Sequence, residues 1–185
     1  MKNVFIITLL ITMGIFLQSC SKKEVLQVSR ENPKMLSFEN IVYQKSYKDC
    51  NPDSSACTYV RITYDKVKEG VNKDVINNII LDSLYKSLSV WETTYKNFDS
   101  ITQNFFSQYE TLKRDFPETG EQFLEAIGKK DFEDNNVLTY SLTSFTFTGG
   151  AHPNTFLLYL NILKNSPHCL SINEIFKSGF ENKLN

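Results

Sequence analysis

Phe145-Thr146-Phe147-Thr148-Gly149-Gly150-Ala151-His152-Pro153-Asn154 is the stretch on which the fold turns. Two successive glycines free the backbone for a close approach, and Pro153 holds His152 out of the helical region. Strand-like runs lie on both sides, so the expected element is a pair of strands joined at a tight corner. That corner also collects the candidate binding residues Gly149, Gly150 and His152. Glycine N–H groups can form a small nest for an anion or a sugar hydroxyl, with His152 as a switchable donor. The alternative is architectural: a tight connection in which His152 satisfies a backbone carbonyl.

Working outward, Val137 to Phe147 is a strand with a phase change. Leu138, Tyr140 and Leu142 share one parity, Phe145 and Phe147 the other. A bulge near Thr143-Ser144 is the expected repair, because a one-residue slip turns the aromatics outward. Thr155 to Leu163 is apolar on both parities, as in a central strand covered on both faces. After the turn Asn165-Ser166-Pro167, Ser171-Ile172-Asn173-Glu174 has the form of a capping box opening a short helix that Gly179 ends. Upstream, Glu121 to Phe132 has helical spacing at Phe123 and Ile127, but Gly128 interrupts it, and a strand is expected. Glu133 to Asn136 reads as a solvated turn. Asp131, Glu133 and Asp134 belong to that charged turn rather than to a cation site, since Ca²⁺ needs six to eight oxygens from a shaped loop.

Two helices are expected before this region. Val75, Ile76, Ile79, Ile80, Leu84 and Leu88 recur at three or four residues, with Asn72 as N-cap and Val71 stapled onto Ile76. Tyr95, Phe98, Ile101, Phe105, Tyr109, Leu112 and Phe116 repeat the pattern until Pro117 stops it. The second stripe reads as the face that covers a sheet, with a ligand groove as the alternative. Earlier still, Leu36 to Lys45 is strand-like, and Thr58 to Tyr64 alternates with Val60, Ile62 and Tyr64 on one face. Cys50 and Cys57 flank the turn-forming Asn51 to Ala56, so a disulfide closing an antiparallel hairpin is expected. Such a short loop stabilises by about 2–3 kcal/mol. Cys169 is left over, either a small buried residue or one lacking its partner.

The chain has 185 residues and a net charge of −1, with signs interspersed. No like-charge block suggests nucleic acid. Only two histidines are present, and neither a Gly-x-Ser-x-Gly elbow nor a Cys–His–Asn pattern occurs. No catalytic residues, metal or cofactor are therefore expected. A metal site from His152, His168 and Cys169 is weakly supported, because the spacing is not diagnostic.

At the N-terminus, Lys2 is followed by an apolar run from Val4 to Phe16 and then Leu17-Gln18-Ser19-Cys20. The run is too short to span a bilayer comfortably. Its ending resembles the bacterial lipobox, which implies cleavage after residue 19 and acylation of Cys20. Each buried methylene then contributes about 0.8 kcal/mol to the anchor. Residues 20–35 read as a polar tether, and the compartment is oxidising. The expected location is the cell envelope, with the domain facing the periplasm or the exterior.

Phe147-Thr148-Gly149-Gly150-Ala151-His152 matches an aromatic-Thr-Gly-Gly-Ala-His signature, and Leu170-Ser171-Ile172-Asn173-Glu174-Ile175-Phe176 a second motif downstream of it. Both resemble the family of the peptidoglycan deacetylase PdaC and the lysozyme-sensing anti-sigma factor RsiV. The resemblance implies an α+β fold, an antiparallel sheet covered on one side by two amphipathic helices. It implies a PdaC-type domain over residues 36–117 and an RsiV-like domain over 118–185, incomplete at its C-terminus. The function it implies is a non-catalytic envelope lipoprotein that binds a peptidoglycan fragment or a lysozyme-like protein. The alternatives are an accessory part of a cell-wall deacetylase or hydrolase system, and an inactive truncated copy.

Overall fold

The computed structural model describes residues 35–89 and 95–183. The leader, Cys20 and nearly all of the tether lie outside the described residues. Strands β1 (Ser37–Ser46) and β2 (Tyr59–Glu69) precede helices α1 (Lys73–Ser87) and α2 (Phe98–Asp115). Strands β3 (Phe123–Glu133), β4 (Val137–Phe147) and β5 (Asn154–Leu163) follow, with a one-turn helix α3 (Ile172–Ile175) beyond them. The strands form one sheet in sequence order, β1 to β5. The fold is α+β, and the sheet is mostly antiparallel but not wholly so: β2 and β3 run parallel. The reason is the connection. A stretch containing two helices returns the chain to the end from which β2 started, which a short hairpin cannot do. The expected boundary at residue 117 falls between α2 and β3, and both sides of it supply strands to this sheet.

The predicted alternation sets the inner face. Val60 and Ile62 of β2 are fully buried beside Leu124 and Ala126 of β3, Leu138, Tyr140 and Leu142 of β4, and Ile162 of β5. Ile76, Ile80 and Leu84 of α1 and Ile101 and Phe105 of α2 belong to the same cluster. Phe98 is a hub, with its ring 5.4 Å from Tyr43, 5.9 Å from Tyr64 and 5.2 Å from Tyr85. Burying each such large side chain contributes about 1.5–3 kcal/mol. Asn77 is the polar exception on the inner stripe of α1. Its amide exchanges two 2.9 Å hydrogen bonds with the backbone of Val67, where β2 has run past its β3 partner. Gly128 is a packing requirement of β3. A Cβ there would stand 2.8 Å from the Tyr140 hydroxyl, which donates to the Asp65 carbonyl at 2.9 Å.

Several expectations are corrected. No register shift interrupts β4. The bulge is in β3, between Lys130 and Phe132, and Phe145 and Phe147 do face outward. There the Phe147 ring stacks on Phe123, which in turn stacks on Tyr59. Strand β5 is an edge strand rather than a central one, and Phe156, Leu157 and Tyr159 are exposed. Asn72 is the N-cap of α1, but at φ 55 it makes no side-chain cap bond; its amide donates instead to the Lys164 carbonyl at 2.8 Å. Val71 and Val75 are exposed rather than packed on the core.

Glu133 is the largest correction. Its side chain and that of Lys164 are fully buried, with Lys164 Nζ donating to Glu133 Oε1 at 2.6 Å. Leu36 N–H donates to the same oxygen at 2.8 Å, Lys130 Nζ to the other at 3.1 Å, and Lys164 also reaches the Asp134 carbonyl at 2.8 Å. Asp134 to Asn136 are exposed, as expected of a solvated turn, and only the Glu133 side chain turns inward as a buried socket. Burial pushes the Glu133 carboxyl up, but the Leu36 amide and the two ammonium groups outweigh it and hold the group below its ordinary value.

Candidate functional site

Residues 148–153 join β4 to β5 as an exposed corner. Gly149 has φ 89, the conformation that needs glycine, whereas Gly150 does not have a positive φ. An added Cβ on Gly149 would meet Gln122 Nε2 at 3.5 Å and Leu112 Cδ2 at 4.0 Å, so the corner leans on the end of α2. Gln122 is almost wholly buried, and its Nε2 donates to the Thr148 carbonyl at 3.0 Å. His152 is exposed and makes no hydrogen bond to a described residue. The structure therefore does not bring Gly150 or His152 together with other polar groups.

The corner instead borders a cavity of about 390 Å³ between α2 and the sheet. Leu88, Ile101, Phe105, Leu112 and Leu124 supply its apolar floor, while Asn104, Gln108, Gln122 and Thr148 supply amides and a hydroxyl. A mostly apolar hollow with a few convergent polar groups is the ordinary form of a small-molecule site. From the predicted stripe of α2, Ile101 and Phe105 are buried in the core cluster. Asn104 and Gln108 sit beside it at four-residue spacing and turn a flank of the helix into a wall.

The amides carry specific chemistry. Gln108 Nε2 donates to Asn104 Oδ1 at 2.6 Å. That single bond uses one donor group and one acceptor, which leaves the Asn104 NH₂ and the Gln108 carbonyl unused by each other. Rotating both amides reverses the bond and still leaves one NH₂ and one carbonyl. An adjacent donor and acceptor at half-buried positions complement a secondary amide, whose C=O accepts while its N–H donates. Asp115 is the one carboxylate on the wall at the described positions, and it is exposed.

The weak metal reading finds no support in geometry: no group of three or more His, Cys, Asp or Glu among the described residues is placed to hold an ion. His168 instead sits between the Ser166 carbonyl, 2.6 Å from Nδ1, and Glu174 Oε1, 2.9 Å from Nε2. The predicted capping box is present, with Glu174 Oε2 accepting from the Ser171 N–H at 2.8 Å and from its hydroxyl at 2.7 Å. Cys50 and Cys57 form the expected disulfide. Cys169 is a free thiol and exposed, not buried. No described helix is long and apolar enough to cross a membrane. Sequence reasoning missed Asn104, Gln108 and Gln122. The available signal was the Asn-x-x-x-Gln spacing inside the aromatic stripe.

A family model described as Deacetylase PdaC matches residues 52–155, more than half of the chain, from the disulfide loop through the Gly149–His152 corner. Among solved structures, the chain is similar to a DUF3298 family protein from Pseudomonas aeruginosa PAO1. The identity is 18%, the TM-score 0.61, and the match covers 82% of this chain and 62% of that one. It is also similar to a DUF3298 family member from Bacteroides fragilis NCTC 9343, with 14% identity, a TM-score of 0.61, and 83% and 66% of the two chains covered. Identities this low speak for a shared fold alone. The chain thus spans about 62% of the length of the first of these relatives. No curated protein matches the sequence.

Proposed function

The chain belongs to the Deacetylase PdaC family, and from that premise we propose that it is a lipid-anchored binding module of the bacterial cell envelope that takes an acetamido-bearing fragment of peptidoglycan. The observation that carries this reading is the Asn104–Gln108 pair on the wall of an apolar cavity. Glycan rings present flat C–H faces to apolar side chains, and an N-acetyl group matches the free NH₂ and carbonyl. In this reading the two helices cover one face of the sheet, α2 lends its flank to the ligand, and the Thr148–Gly149 corner forms the rim. Cys20, acylated within its lipobox, tethers the domain to the bilayer through residues 20–35 and faces it toward the periplasm or the exterior.

Calorimetry with tri-N-acetylchitotriose, which carries the acetamido groups, and cellotriose, which lacks them, tests this. Chitotriose is expected to bind and cellotriose to fail. Asn104→Ala and Gln108→Ala each remove one hydrogen bond of about 1 kcal/mol and weaken binding about fivefold. Equal binding of both sugars, or of neither, refutes the reading, and binding of a lysozyme in their place moves the ligand to the protein class. The family's description favours a second reading, an accessory role in a wall deacetylase system. It predicts that Asn104→Ala slows a partner deacetylase acting on polymeric wall material and leaves small soluble substrates unaffected.

A further inference from the structure

A second pocket lies on another face of α2, beneath the disulfide-closed connection from β1 to β2. It is open, about 570 Å³, with walls that include Tyr47, Lys48, Tyr109, Glu110, Lys113 and Glu121. The tyrosine rings meet edge to face at 5.2 Å. Their hydroxyls are committed: Tyr47 donates to Glu110 Oε1 at 3.0 Å and Tyr109 to Glu121 Oε2 at 2.6 Å. Glu121 also accepts from the Thr58 hydroxyl at 2.8 Å and from Lys113 Nζ at 3.3 Å. The Tyr109 hydroxyl leads the effects that hold its carboxyl below the ordinary range.

What the pocket presents to a visitor is therefore mostly donors. Lys48 Nζ lies 5.1 Å over the Tyr47 ring and forms no ion pair or hydrogen bond with a described residue, which leaves its three N–H groups to a visitor. Lys113 retains one N–H after serving Tyr109 and Glu121. Arg114 also borders the pocket and meets Asp115 through Nε alone, which leaves its terminal nitrogens available. With Lys48, Lys113 and Arg114 set against Glu110 and Glu121, the walls carry one positive charge in excess.

Lys48 is held in place at some cost. Lys48 and Asp49 have φ 52 and φ 55, the left-handed region that L-residues disfavour. The Cys50–Cys57 disulfide and the 2.8 Å bond from Tyr47 N–H to the Thr58 carbonyl close the connection around them. We propose that this pocket is an anion subsite, which receives a singly charged carboxylate or phosphate group with Lys48 as the principal contact and Lys113 and Arg114 beside it. The subsite is independent of the amide-lined cavity, which occupies a different face of α2.

Propionate and inorganic phosphate are the probes, titrated separately into the ¹⁵N-labelled full chain. The expected result is saturable shifts at the backbone amides of Tyr47 to Cys50 and of Lys113 and Arg114. Lys48→Gln weakens binding about fivefold and moves the melting temperature little, since among the described residues Lys48 makes only the ring contact with Tyr47. Saturation by propionate alone assigns a carboxylate ligand, and by phosphate alone a phosphate. Unsaturable shifts with both probes, or an unchanged affinity in Lys48→Gln, overturns the subsite. Either result leaves the chitotriose measurement at the other cavity to stand or fall by itself.

Discussion

Replacing Lys164 by Met removes one partner from a fully buried ion pair while keeping most of the unbranched side chain. The ammonium now donates to Glu133 Oε1 at 2.6 Å and to the Asp134 carbonyl at 2.8 Å. Removing one member of a buried pair costs about 3–5 kcal/mol, because the other charge stays in the low-dielectric interior. Glu133 keeps the Leu36 N–H and Lys130, which places the expected loss near 3 kcal/mol, and that lowers the melting temperature of a domain this size by about 6–12 °C. The assay is thermal unfolding at several pH values. The Glu133 carboxyl is held below its ordinary value in the folded protein, so its contribution is present above about pH 4.3 and is lost as the pH falls through the folded value. In Lys164→Met the stranded carboxylate takes up its proton more readily. The gap between the two proteins therefore narrows in acid. A loss below 1 kcal/mol at pH 7, or a gap that does not change between pH 7 and pH 3, refutes the reasoning.

Three further outcomes are expected. Gly128→Ala sets a methyl 2.8 Å from the Tyr140 hydroxyl and 3.0 Å from Tyr64 Cβ, which lowers stability by about 1–3 kcal/mol in denaturant titration. His168 titrates above its ordinary value, first because of Glu174 and then because of the Ser166 carbonyl, whereas Glu174 is held down to about 2, mainly by the Ser171 N–H. The His168–Glu174 contact is accordingly complete below about pH 6.5 and weakens as pH rises through the folded value; in NMR titration Glu174→Gln returns His168 toward its ordinary value. Replacing Cys50 and Cys57 by Ser costs about 2–3 kcal/mol and broadens the amide signals of Tyr47 to Thr58.

Local pattern was legible where a local rule decides the outcome. The alternation of Val60, Ile62 and Tyr64, the three-four repeat of Ile76, Ile80 and Leu84, the cysteine-flanked turn and the capping box at Ser171 are all present. Alternation tells which residues share a face but not what lies against that face. Hence β5, apolar on both parities, read as a central strand and is an edge. Phe145 and Phe147 suggested a bulge to bring them inward, whereas both face outward, where Phe147 stacks on Phe123 and Phe123 on Tyr59. Glu133 looked like a surface turn because its partner Lys164 lies 31 residues away. The candidate site followed the same division. Gly149 was visible as a backbone requirement, but that Asn104 and Gln108 share a cavity wall shows only in the folded chain.

The proposal that the cavity beside α2 reads an acetamido group through Asn104 and Gln108 is tested most directly by a ¹⁵N spectrum of the side-chain amides during titration with tri-N-acetylchitotriose. Saturable shifts of the Asn104 and Gln108 NH₂ signals are expected, while the His152 ring signals stay in place. Shifts confined to the Gly149–His152 corner or to the outer face of the sheet, with both amides unmoved, would contradict it.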